Sequence, residues 1–63
     1  MRIKNGSLVK KTTEDLGIGV VASDPREIEM RMTPKVVSLK LCVDVLFDGK
    51  LHRNIPIDEL ELL

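Results

Sequence analysis

Between Lys35 and Phe47 the odd positions read Val37, Leu39, Leu41, Val43, Val45 and Phe47, while the even ones include Ser38, Lys40, Cys42 and Asp44. No other feature of the chain limits its fold so tightly. Alternation with period two puts one apolar row on one face of an extended segment. A helix is disfavoured because its valines would lose side-chain freedom and no capping residue stands where one is needed. The run therefore reads as one long strand. In a chain of 63 residues such a strand cannot stay flat, so it is expected to bend strongly and serve two halves of a barrel.

Asp48-Gly49 follows at once and signals a hairpin, since glycine and, less readily, aspartate tolerate positive φ. Two registers compete. A two-residue turn places Leu51 and Ile55 on the face of Leu46 and Cys42 and sets Asp44 beside Arg53. A three-residue loop with a bulge at Gly49 places Leu51 and Ile55 on the core face with Val45 and Leu41. The second groups more aliphatic side chains and is the expected one; a slip of one residue reverses every side chain.

Upstream, Leu8-Val9-Lys10 reads as a short first strand, Lys11 to Leu16 as a polar loop, and Gly17 to Val21 as a second strand. Asp24-Pro25-Arg26-Glu27 has the residue order of a type I turn. Ile28, Met30 and Met32 alternate with Glu27, Glu29 and Arg31 in a third strand that ends at Thr33-Pro34. The two methionines form a flexible stripe whose expected role is packing. Pro56 to Leu60 reads as one tight helical turn, and Glu61-Leu62-Leu63 as a last short strand beside the first.

Chain length limits what can hold these parts together. A domain of this size buries only about 60% of its unfolded surface, and burial barely offsets the entropy of ordering. Cys42 is the sole cysteine and His52 the sole histidine, so neither an internal disulfide nor a zinc ligand set is available. One domain over residues 1–63, resting on its aliphatic content, is the expectation.

The order of parts resembles the SH3-like barrels, in particular the small KOW-like and Tudor-like proteins and the short SH3-like proteins of tailed bacteriophages. The residues carrying it are Gly6-Ser7-Leu8-Val9, Gly17-Ile18-Gly19-Val20-Val21, Val43-Asp44-Val45-Leu46-Phe47-Asp48-Gly49 and Ile57-Asp58-Glu59-Leu60-Glu61-Leu62. The resemblance implies an all-β, small SH3-like antiparallel barrel of about five strands with one 3-10 turn before the last. The extra length between Ala22 and Lys40 departs from that pattern and implies an additional hairpin.

No catalytic, cofactor-binding or metal-ligating set emerges, and the chain reads as non-enzymatic. Nucleophilic catalysis needs a nucleophile held against an oriented base, whereas His52 reads as a surface strand residue and Cys42 as a small buried or half-buried hydrophobe. Phe47 is the only aromatic residue. Neither the groove that grips proline-rich peptides nor the cage that holds methylated side chains can be built from one ring. Ten basic and ten acidic residues give a net charge of zero, so no global field draws the protein to a phosphate backbone.

Two functions of different class remain. The first is an interaction module that self-associates or binds another protein through a strand edge or aliphatic patch, because a small barrel leaves backbone unpaired. The second is weak backbone-type binding of nucleic acid, of the KOW kind, through Lys10, Lys11, Arg26, Arg31 and Arg53. The same five residues are the candidate contacts for a protein partner. No membrane-spanning run and no small-molecule substrate are indicated, and a cytoplasmic location is expected, that of the host for a phage-encoded chain.

Overall fold

A computed structural model describes residues 2–63, apart from the side chain of Met32. Six strands form one curled antiparallel sheet: β1 (Leu8–Lys11), β2 (Ile18–Val21), β3 (Arg26–Thr33), β4 (Val36–Phe47), β5 (Lys50–Pro56) and β6 (Leu60–Leu62). A single 3-10 turn, Ile57–Glu59, precedes β6. The protein is thus all-β, and β6 returns to pair with β1, setting Val9 opposite Leu62.

β4 organises the rest. Its last residues pair with β2 on one edge, Val21 with Val45, and with β5 on the other, Val43 with Ile55. Its first half pairs with β3 alone, from Arg26 opposite Cys42 to Thr33 opposite Val36. The strand therefore serves two bodies: a curled barrel and a two-stranded arm that extends the molecule to 36 × 21 × 19 Å. Thr33 closes the arm's turn, its Oγ1 accepting the Val36 N–H at 3.0 Å.

Burial divides the apolar row of β4 in the same place. Val43, Val45 and Phe47 are buried with Val9, Val21, Ile55 and Leu60 in the core. Val37, Leu39 and Leu41, in phase with them, are exposed on the arm. Met30 is half-buried there; its companion Met32 has a side chain outside the described residues.

Gly19 sits where the core is tightest. It pairs with Val9 on one side and Phe47 on the other, and the Phe47 ring occupies the space its own side chain would take. His52 also meets that ring edge-to-face, with centroids 5.4 Å apart. His52 is consequently half-buried rather than a plain surface residue.

Two sequence expectations fail locally. The hairpin after β4 has a two-residue turn, with Phe47 paired to Lys50 and positive φ at Asp48 and Gly49. Leu51 then lies opposite Leu46 on the outer face, while Ile55 still reaches the core, because Arg53 and Asn54 both stand opposite Asp44 in a bulge. The bulge forms with Asn54 at φ 56, in the left-handed region that asparagine tolerates better than most residues. Asp24-Pro25, in turn, makes no reversal. β2 and β3 run along the same edge of β4, and Ala22 to Pro25 bow outward opposite Val43 and Asp44.

Candidate interaction surfaces

Both irregularities fall at Asp44, and the residue holds them. Its N–H donates to Ser23 Oγ at 2.9 Å, and its carbonyl accepts the Ala22 N–H at 2.8 Å. Its carboxylate accepts the bulged Asn54 N–H from the β5 edge at 3.1 Å and an Arg26 N–H from the β3 edge at 2.6 Å. Arg26 also donates to Ser23 Oγ and Asn54 Oδ1. The two-residue turn, the register not favoured from the sequence, was to set Asp44 beside Arg53; the carboxylate pairs instead with Arg26, 18 residues upstream. This clamp marks the point where barrel gives way to arm.

The Arg26 hydrogen bond, reinforced by the Asn54 N–H, holds the Asp44 carboxyl below the usual carboxylate range. A group whose pKa is depressed on folding contributes stability that is complete above its unfolded pKa, and that is lost as pH falls through the folded value. The melting temperature should therefore fall on acidification below about pH 4, and Asp44→Asn should flatten that fall while lowering the melting temperature at neutral pH. An acid profile unchanged by the substitution, followed by circular dichroism, would contradict the clamp.

The five cations named from the sequence do not converge. Arg26 is committed to the clamp. Arg31 lies on the arm, 3.6 Å from Glu29, and Arg53 is exposed in the bulge of β5. Lys10 and Lys11 are neighbours on β1, yet Lys10 pairs across the sheet with Glu61 and Lys11 is 3.8 Å from Glu14. The shallow cleft beside them is shared with Glu14, Asp15 and Glu61. Cys42 is buried, which pushes its thiol pKa up and keeps it in the unreactive form.

Two aliphatic surfaces are more coherent than any charge cluster. On the outer face of the barrel, Leu8 stands opposite Val20, Val20 opposite Leu46, and Leu46 opposite Leu51. These four residues make one row across four adjacent strands and are each between 42% and 49% exposed. Ile18 and Leu63, also exposed, lie beside the row. The second surface is the arm's Val37, Leu39 and Leu41, opposite Arg31, Glu29 and Glu27. Scattered exposed leucines are ordinary, whereas these residues are set side by side in contiguous apolar rows.

Sequence reasoning missed the outer row because its members lie on four separate strands and the favoured hairpin register sent Leu51 inward. The spacing of Val20, Leu46 and Leu51 becomes meaningful only once the two-residue turn is assigned. Among the described residues no group of histidine, cysteine, aspartate and glutamate side chains could hold a metal ion, and no helix is long and apolar enough to cross a membrane. No protein-family model matches the chain, and no curated protein or solved structure matches it.

Proposed function

We propose that this chain is a non-enzymatic interaction module, a small barrel of the SH3-like kind that docks on another protein through the outer row Leu8, Val20, Leu46 and Leu51. The single observation carrying this reading is the continuity of that row across β1, β2, β4 and β5. Aliphatic side chains on adjacent strands present a flat, dehydratable patch, and burying apolar area contributes about 25 cal/mol per Å². A domain this small also gains stability from anything that binds only its folded form. The partner surface is therefore aliphatic, and no aromatic pocket is involved.

Val20→Lys combined with Leu46→Glu tests this. The two positions are cross-strand partners, so opposite charges replace the apolar pair without setting like charges face to face. Immobilised wild-type protein should retain a partner from an extract of the cells that make it, at a stoichiometry the double variant loses. Equal retention by both proteins, or by neither, would refute the reading.

A further inference from the structure

The two edges of the arm are built differently. The outer edge of β3 is bracketed by Pro25 and Pro34 and carries Arg26, Glu27, Glu29 and Arg31. Prolines and charges are the means by which natural sheets discourage edge pairing. The opposite edge, β4 from Val36 to Leu41, has Lys40 alone. β5 ends at Pro56 opposite Cys42, and beyond that point no strand lies along this edge among the described residues.

The backbone direction on this edge follows from the ladder. The Asp44 carbonyl accepts from Ala22 on the β2 side, so even-numbered residues of β4 turn their backbone groups toward β2 and β3. Antiparallel alternation then turns the N–H and C=O of Val37, Leu39 and Leu41 toward the open edge. The same three residues supply the arm's aliphatic row, with Leu39 the most exposed at 65%. A two-stranded ribbon is marginal by itself, and a third strand makes it secure.

We propose that this edge pairs antiparallel with the same edge of a second copy, about a two-fold axis at Leu39, making a continuous four-stranded sheet from two arms. The occupant is a second copy because the edge is complementary to itself in one register. Axes lying between residues would set each leucine opposite Ser38 or Lys40 and mismatch the faces. An axis at Lys40 would oppose two ammonium groups, and one at Ser38 would run Leu41 against Lys35 at the turn. With the axis at Leu39, Leu41 meets Val37, Leu39 meets Leu39, and Lys40 meets Ser38. Six aliphatic side chains share one face, no like charges stand opposite, and the outward backbone groups of all three odd residues fall in hydrogen-bonded positions. The pairing ends where Ile57 and Asp58 flank Leu41 and Lys40, the latter 3.5 Å from Asp58. This surface is separate from the outer row of the barrel and does not depend on it.

Sedimentation equilibrium of wild type, Leu39→Lys, Leu39→Pro and the Val20→Lys/Leu46→Glu variant, from about 10 µM to about 1 mM, tests the pairing. Leu39→Lys sets two ammonium groups at the axis. Leu39→Pro deletes an N–H that the β3–β4 ladder does not use, and a dispersed amide NMR spectrum verifies that each variant folds. Wild type should dimerise within this range, both Leu39 variants should bind at least tenfold more weakly, and the outer-row variant should dimerise as wild type does. A wild type monomeric throughout, including one whose arm pairs only with a strand of another protein, would overturn the proposal. So would dimerisation that a folded Leu39 variant leaves unchanged.

Discussion

Replacing Gly19 with valine should leave the protein unfolded at room temperature, and even alanine should lower the melting temperature sharply. A Cβ at this position lies 2.6 Å from Phe47 Cε1 and 2.6 Å from Val45 Cγ1, well inside contact distance. Neither neighbour can give way easily, because Val45 and Phe47 are both buried in the core and His52 packs on the ring. Overpacking a core costs about 1–3 kcal/mol. In a domain of this size each kcal/mol lowers the melting temperature by roughly 4–8 °C. Alanine falls within that range, and the two further methyl groups of valine go beyond it. The cause is identifiable, since Phe47→Leu should recover part of the loss in the Gly19→Ala background while destabilising the wild type. Additive melting shifts in that double-mutant cycle would show that the ring does not fill the space over Gly19.

Gly49→Val should destabilise by a different route. A Cβ at Gly49 meets nothing within 4 Å, so packing plays no part. What matters is φ, which is +78° at Gly49 and 48° at Asp48, the paired positive values of a type I′ turn. An L-residue in the left-handed region loses about 1–2 kcal/mol, and a β-branched one lies toward the upper end or beyond it. Thermal melting should show Gly49→Ala destabilised and Gly49→Val more so. Asp48→Asn, which completes the preferred Asn-Gly pair, should be neutral or slightly stabilising. A valine variant melting with wild type would mean that the turn is not built this way.

Much of this architecture is legible in the residues. The period-two run of β4 announced its length, and β1, β2, β3, the 3-10 turn and β6 lie close to where propensity and punctuation put them. The expectation that β4 serves two halves of a barrel fails, because its first half pairs with β3 alone and forms an arm. The local misreadings share one cause. Asp48-Gly49 supports either hairpin register locally, and grouping the aliphatic side chains favours the bulged loop, which sends Leu51 and Ile55 inward together. The chain delivers Ile55 to the core by a bulge at Asn54 instead, a device that depends on Asp44, Arg26 and Asn54 meeting across three strands with Ser23 of the bow beside them. No local pattern encodes that meeting. For the same reason Asp24-Pro25 reads as a turn in isolation and proves to be an outward bow held by Ser23.

The candidate surfaces were less legible than the fold. Lys10, Lys11, Arg26, Arg31 and Arg53 stand out in a sequence because charge is counted residue by residue, whereas the folded chain sets carboxylates beside four of them. The arm's leucines were visible as a row but read as core, since periodicity reports a shared face without saying whether anything covers it. Burial follows from curvature. The sheet closes over Val43, Val45 and Phe47 and stops closing at Cys42, where β5 ends at Pro56, leaving Val37, Leu39 and Leu41 outside.

The proposed interaction module rests on the outer row being spare to the fold, and the melting temperature of the Val20→Lys/Leu46→Glu variant addresses that most directly. Surface substitutions away from structural features usually change stability by no more than about 0.5 kcal/mol, with cross-strand pairs contributing up to about 1 kcal/mol. A melt within a few degrees of wild type, together with loss of the retained partner, is the expected result. A collapse like that of Gly19→Val would show that the row holds the barrel together and is not there to be covered by a partner.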